Sequence, residues 1–72
     1  MKDIVIKTEK IQLDQFLKWA DIVESGGQAG LLIADKKVIV NGEICTVKRK
    51  QLVTGDVIII KDNGKYRLVG AK

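Results

Sequence analysis

The Asn41-Gly42 pair constrains the fold of this chain more than any other feature. Both central residues of a tight type I′ hairpin need positive φ, and Asn-Gly is the dipeptide that adopts this conformation most readily. The β-branched residues Val40, Ile44 and Val47 flank the pair, as is typical of strands. The sequence therefore predicts a β-hairpin that turns at this pair, with a second strand running toward Val47.

A basic triplet, Lys48-Arg49-Lys50, follows the hairpin directly. The charge of the chain is also uneven: residues 1–35 carry four Lys and six acidic residues, whereas residues 36–72 carry nine Lys or Arg and three acidic residues. A basic surface can serve solubility alone. Together with Lys36 and Lys37, however, the triplet places five cations around one hairpin, and this clustering favours binding of a polyanion. Charge does not distinguish RNA from DNA.

The length of 72 residues predicts a single domain, residues 1–72, with a small core and little sequence left for a deep catalytic cleft. No apolar run approaches the roughly 18 residues that a membrane-spanning helix needs. The first residues lead straight into a strand-like segment, without the apolar region of a signal peptide. We expect a cytoplasmic monomer that contacts no membrane.

Cys45 is the one cysteine, and the chain has no histidine. This composition excludes internal disulfides, Cys and His metal sites, and His-dependent catalysis. We therefore expect no metal, no cofactor and no catalytic residue. Between Ile44 and Thr46, Cys45 is interpreted as a packed strand residue. An enzyme with Cys45 as nucleophile is disfavoured, because no base is available to activate the thiol.

Two short helices are predicted ahead of the hairpin. Apolar residues at i, i+3, i+4 and i+7 from Leu13 form one face of a first helix, and Gln12 is a weak N-cap for it. Ser25, followed three residues later by Gln28, is a capping box that predicts a second helix over residues 26–34. Trp19 lies beside the apolar face of the first helix. It is either an exposed platform for base stacking or, as we favour, packed against the neighbouring helix.

Strands complete a predicted α+β fold. Besides the hairpin, strands are predicted at residues 3–7, 57–60 and 66–69, with turns at residues 54–56 and 62–65. The continuous apolar run Val57–Ile60 is typical of the centre of a sheet. The predicted order is strand, helix, helix and then four strands. Such an order favours two short helices packed on a small, mostly antiparallel sheet.

Three glycines lie in the second predicted helix, where each lowers helix propensity by about 1 kcal/mol relative to alanine. Gly26 and Gly27 occupy the first turn, whose backbone amides lack intrahelical partners and can approach a phosphate closely. Gly30 lies one turn further, on the outward side with Gln28. Two alternatives remain open: the first two glycines shape the corner between the helices, and Gly30 allows close packing of the helix on a strand.

Several segments, in this order along the chain, resemble the ribosomal-protein S-four type (alpha-L) RNA-binding domain. They are Leu13-Asp14-Gln15-Phe16-Leu17-Lys18, Ser25-Gly26-Gly27-Gln28-Ala29, Ile33, Val38-Ile39-Val40-Asn41-Gly42, Leu52 and Gly55-Asp56-Val57-Ile58. The Ser-Gly-Gly-x-Ala variant and the small size resemble the stand-alone YaaA/YbcJ-type bacterial proteins of this family. The resemblance covers about residues 11–60.

The resemblance implies a module without catalytic activity that binds structured RNA, either rRNA or tRNA, and acts in ribosome assembly or translation. Carried over by position, the implied RNA-binding residues are Gly26, Gly27, Gln28, Gly30, Lys36, Lys37, Asn41, Lys48, Arg49 and Lys50. The chain departs from the family pattern at three positions. Gly30 stands where Lys or Arg is common, Lys36 where many members have a helix-ending glycine, and Val47 where a basic residue often follows the threonine.

The alternative hypothesis is a protein-interaction adaptor whose basic surface serves solubility. It would dock on a partner through Trp19, Leu31 and a sheet edge near Tyr66. The two hypotheses differ in their salt dependence, because phosphate binding weakens steeply as salt rises and apolar docking does not.

Overall fold

Seven strands and two helices make up the computed structural model, which describes residues 1–61 and 63–71. In chain order they are β1 (Lys2–Ile6), β2 (Lys10–Gln12), α1 (Leu13–Trp19), α2 (Gly26–Ala34), β3 (Val38–Val40), β4 (Glu43–Ile44), β5 (Gln51–Val53), β6 (Val57–Ile60) and β7 (Gly64–Gly70). The predicted α+β class and both predicted helices are confirmed. Within the described residues, no helix has the length and apolar character needed to cross a membrane.

The main sheet has five strands in the order β1-β7-β6-β3-β4. Adjacent strands in this sheet are antiparallel, except β1 and β7, which are parallel to each other. Strand β6 is the middle strand, as its apolar run predicts. A separate pair, β2 with β5, aligns Ile11 with Leu52. The predicted order of elements was wrong at these two strands, because three-residue strands that pair over a long sequence separation leave no periodic signal.

The first two predicted turns are found where the sequence places them. Asn41 and Gly42 have φ of 51° and 87°, and Val40 aligns with Glu43 across the hairpin. Gly55 lies in the second turn with φ of 94°. The third turn, predicted over residues 62–65, ends earlier, because β7 begins at Gly64, which aligns with Ile60. Asp62, also part of that prediction, lies outside the described residues.

Strand β4 ends earlier than predicted. Only Glu43 and Ile44 belong to it, although the amide of Cys45 still donates to the carbonyl of Val38 at 2.9 Å. The side chain of Cys45 is buried, and its thiol donates to the carbonyl of Val47 at 3.7 Å. Its interpretation as a packed residue is confirmed, with the correction that it lies just beyond the strand.

The core lies between the two helices and one face of the main sheet. From α1, Leu13, Phe16 and Leu17 are completely buried, as the apolar spacing predicts. The ring of Phe16 meets that of Tyr66 edge to face, with centroids 6.2 Å apart. Tyr66 is thus a core residue on β7, which lies between β1 and β6. The predicted docking edge near Tyr66 was wrong, because the edges of this sheet are β1 and β4.

Both helices end in a left-handed residue that is not glycine. Asp21 follows α1 with φ of 62°, and Lys36 follows α2 with φ of 60°. At the end of α2, the amides of Lys36 and Lys37 donate to the carbonyls of Ile33 and Leu32 at 3.1 and 3.2 Å. This is the Schellman arrangement, which most often uses glycine at the left-handed position.

Candidate nucleic-acid interface

The basic triplet lies at the start of α1. The carbonyl of Lys50 accepts from the amide of Leu13 at 2.8 Å, and that of Lys48 accepts from Asp14 at 3.1 Å. These bonds satisfy amides that the N-cap residue Gln12 leaves free, since its side chain makes no capping bond. The triplet therefore holds α1 through its backbone, and its three side chains remain exposed.

Three chain segments converge at the end of β3 that is remote from the hairpin turn. The amide of Cys45 donates to Val38 on one side, and on the other the amide of Lys61 donates to the carbonyl of Lys37 at 2.9 Å. Because neighbouring strands lie about 4.8 Å apart, the backbones of Lys37 and Lys61 lie side by side, and the basic triplet begins three residues after Cys45. We call the following exposed side chains the basic rim: Lys36, Lys37, Lys48, Arg49, Lys50 and Lys61.

Lys61 was missed by the sequence analysis. It joins the rim because β6 pairs with β3, and only the strand register reveals that contact. Two other cations of the basic second half lie elsewhere. Lys65 and Arg67 lie on β7, on the face of the sheet opposite the helices, and the guanidinium of Arg67 pairs with the carboxylate of Asp3 at 3.2 Å. The positive charge is therefore divided between two surfaces.

Helix α2 carries no charged residue, although its outward side is in contact with solvent. Gly27, Leu31 and Ala34 are exposed, and Leu31 retains 67% of its accessible surface. An exposed helix face is ordinarily polar or charged. The absence of charge here is typical of a surface that meets a partner.

The start of α2 is capped in the predicted way, with one difference. The hydroxyl of Ser25 accepts from the amide of Gln28 at 3.3 Å, while the Gln28 side chain accepts from the amide of Glu24 at 2.7 Å rather than from Ser25. Among the residues described, no acceptor is found for the amides of Gly26 and Gly27. These two amides form the positive end of the helix.

No close contact within the protein requires the glycines of α2. A Cβ atom at Gly26 or Gly30 would meet nothing within 4 Å, and one at Gly27 would lie 3.8 Å from the hydroxyl of Ser25. The three residues have helical backbone rather than positive φ. The alternative that Gly30 allows close packing of the helix on a strand was therefore wrong.

A groove of about 420 Å³ connects α2 to the basic rim. Gln28 and Leu31 line it from the helix, and Lys37 and Lys61 line it from the strand ends. The carboxylate residue Asp35 also lines this groove, so its charge partly offsets that of the two lysines. Two of the residues predicted from the sequence, Gln28 and Lys37, are thus brought to one concave surface.

Asn41 is not brought to the rim. It lies at the opposite end of the hairpin, where its amide nitrogen donates to the carboxylate of Asp56 at 3.1 Å. Its side-chain oxygen accepts from the amide of Val57 at 2.9 Å. The structure gives Asn41 an internal role, joining the hairpin to the turn that precedes β6.

Trp19 is 57% exposed, and its indole nitrogen donates to the carbonyl of Val5 at 2.8 Å. This contact is with β1, whereas packing against the neighbouring helix was the favoured interpretation. In the part of the chain that the structure describes, no three acidic or cysteine side chains gather into a possible metal site.

Comparison with known proteins agrees with these features. A family model described as the S4 domain matches residues 4–69. The Bacillus subtilis (strain 168) protein named "Probable ribosome maturation protein RlbA" is 41% identical over 66 residues, which covers 92% of this chain and 93% of that protein. The resemblance seen in the ordered motifs is thereby confirmed, and the chain belongs to the S4 domain family of RNA-binding domains.

Proposed function

We propose that this chain binds structured RNA of the ribosomal class through the basic rim and the start of α2, and that it catalyses no reaction. One observation carries the proposal: the pairing of β3 with β6 brings Lys37 and Lys61 to one groove with the uncharged helix α2, and the exposed basic triplet follows Cys45, which is hydrogen-bonded to β3. The printed name of the Bacillus subtilis relative, a ribosome maturation protein, supports ribosomal rather than transfer RNA and a cytoplasmic location.

The chemistry of the surface suits an RNA backbone. Lysine and arginine side chains neutralise phosphates and release counterions, so that affinity falls as salt rises. The amides of Gly26 and Gly27 add hydrogen-bond donors at the positive end of a helix, where anions are favoured. Because the exposed face of α2 lacks bulky charged side chains, the backbone of the RNA can approach it closely. Recognition of this kind depends on shape more than on sequence.

Replacing Lys48, Arg49 and Lys50 together by alanine tests the rim. The variant should bind every structured RNA more weakly, and the slope of log K against log salt should flatten by about 0.7 for each lost contact with a single-strand phosphate. The backbone carbonyls that hold α1 remain in the variant, and exposed charges contribute little to stability. The fold, followed by circular dichroism, should therefore be retained.

A matched control removes the same charge from exposed positions outside the basic rim. Lys2, Lys65 and Arg67 are exposed residues of β1 and β7, and their joint replacement by alanine also removes three positive charges. We expect this control to keep a salt slope close to that of the parent protein. If the slope of log K against log salt flattens equally in both variants, binding depends on net charge alone and the rim is not the site.

A second candidate function, docking on a protein, is favoured by one observation. On the face of the sheet opposite the helices, Ile59, Ile39 and Ile44 align as neighbours across β6, β3 and β4. Ile44 is 51% exposed, and a row of isoleucines is unusual for a solvent-facing sheet surface. Replacing Ile44 by Ser, which adds no charge, would impair such docking and leave RNA binding unchanged, which separates the two functions.

A further inference from the structure

An apolar hollow of about 270 Å³ lies beside Trp19, outside the surface described above. Ile6, Ile11 and the indole form most of its lining, and Lys7 and Thr8 complete it. The indole nitrogen donates a hydrogen bond of 2.8 Å to the carbonyl oxygen of Val5, which fixes the ring against the edge strand β1. The indole is thus both held in place and largely accessible.

Charge around the hollow suits an anionic ligand. Residues 1–35 are acidic overall, yet the charged residue in the lining of the hollow is a cation, Lys7. Glu9, the one acid between Ile6 and Gln12, lines a different depression. The aromatic ring is therefore accompanied by a cation.

The hollow also lies a short distance along the chain from the basic triplet. Ile11 of β2 lines it, and the next residue, Gln12, aligns with Gln51, which directly follows Lys50. With a rise of about 3.3 Å per strand residue, the backbone of Ile11 lies roughly 7 Å along the strands from that of Lys50. A single RNA strand that contacts the rim needs only a short extension to reach Trp19.

We propose that this hollow receives one unstacked base of the bound RNA, which stacks on the indole of Trp19. The inference rests on the proposed RNA-binding function and extends it, because it requires an RNA with an extruded or single-stranded nucleotide beside its paired region. A flat aromatic base fits an apolar hollow with one aromatic wall. Lys7 in the lining favours a nucleotide over an uncharged protein side chain, since each nucleotide brings its own phosphate.

Two RNA hairpins that differ at one nucleotide test the proposal. Both have the same paired stem with a single bulged position, which is adenosine in the first hairpin and an abasic residue in the second. We expect the parent protein to bind the adenosine hairpin about 5- to 150-fold more tightly, the range for one stacked base. Trp19 is the only tryptophan of the chain, so its fluorescence should change with the first hairpin and much less with the second.

Variants then assign the difference to the ring. Trp19→Leu should bind both hairpins with the affinity that the parent protein shows for the abasic one, at an unchanged salt slope, and Trp19→Phe should keep part of the preference. Ile44→Ala removes a similarly exposed apolar side chain from the other edge of the sheet, and it should keep the full preference. Circular dichroism verifies that each variant is folded.

The outcomes separate this inference from the proposed function. Equal, salt-dependent binding of both hairpins by the parent protein, without a change in fluorescence, overturns the base site and leaves the rim as an RNA site. The same result is expected if the hollow receives a protein side chain. Failure of the parent protein to bind either hairpin overturns both proposals. The comparison of the two hairpins needs no variant, so it holds even if Trp19→Leu unfolds.

Discussion

Helices α1 and α2 differ in how their first backbone amides are satisfied. In α1, the amides of Leu13 and Asp14 donate to carbonyls of the basic triplet. In α2, the Ser25 hydroxyl takes the amide of Gln28, and no acceptor is described for the amides of Gly26 and Gly27. The first amides of α1 are thus hydrogen-bonded within the protein, whereas those of α2 remain accessible.

Burial follows the same division. Helix α1 has three completely buried residues among seven, and helix α2 buries Ala29 and Ile33 among nine. Helix α1 also contains Asp14 and Lys18 at the ends that suit its dipole, whereas α2 contains no charge. The comparison indicates that α1 is built to hold the fold and α2 to meet a ligand, and the following substitutions test that distinction.

The largest effect is expected in the core of α1. Phe16→Ala removes a fully buried ring that contacts Tyr66, and it should lower the free energy of unfolding by about 3–5 kcal/mol. Leu31→Ala in α2, with 67% of its surface exposed, should change it by no more than about 0.5 kcal/mol. Urea denaturation measures both. Similar losses for the two variants would contradict the division of roles.

A smaller effect is expected at the start of α2. Gly27→Ala has room for its Cβ atom and helical φ, so stability should be preserved or rise by about 0.4–1 kcal/mol. RNA binding should nevertheless weaken by about 1 kcal/mol, comparable to one hydrogen bond, at an unchanged salt slope because no charge is lost. Filter binding over a salt series measures this. Unchanged affinity would restrict the interface to the basic rim.

The smallest effect is expected at the C-terminal ends, where the helices are alike. Lys36→Gly removes the strain of a lysine in the left-handed conformation, which by itself should raise the free energy of unfolding by about 1–2 kcal/mol. Because glycine has greater freedom in the unfolded chain, the net gain should be about 0.5–1 kcal/mol. Asp21→Gly should gain less, because aspartate tolerates this conformation better.

Binding distinguishes these two glycine variants. Lys36→Gly removes a cation of the rim and should weaken RNA binding, whereas Asp21→Gly removes an acid and should not. Thermal denaturation and RNA titration measure the two properties separately. A loss of stability in Lys36→Gly would mean that the lysine side chain makes a contact that offsets its backbone strain.

Local signals in the sequence predicted most of this fold. The Asn-Gly turn, the capping box at Ser25 and the apolar spacing from Leu13 each act within a few residues, so each could be read directly. Strands β2 and β5 could not, because their pairing depends on segments about 40 residues apart. The left-handed Asp21 was also hidden, since it is not the glycine that ordinarily marks a helix end. For Lys36, the family resemblance did point to a position where glycine commonly ends the helix.

The site was predicted less completely than the fold. Charge and glycine patterns pointed to the triplet and to α2, and these positions remain predictions as RNA contacts. Lys61 was missed because its proximity to Lys37 depends on strand register. The capping of α1 by Lys48 and Lys50 was missed for another reason. Backbone carbonyls accept these hydrogen bonds, and because every residue type has a backbone carbonyl, the sequence gives no signal for them.

The parallel pairing of β1 with β7 also has a consequence for the order of folding. Ile4 aligns with Leu68, so within the described residues β1 pairs in the main sheet with β7, the last of the seven strands. During synthesis, the hairpin and the two helices can form from local contacts, while β1 must wait for the last strand to be made. Contacts between such distant segments slow folding because a long loop must close first. We therefore expect β1 to be the last strand to dock in a nascent chain.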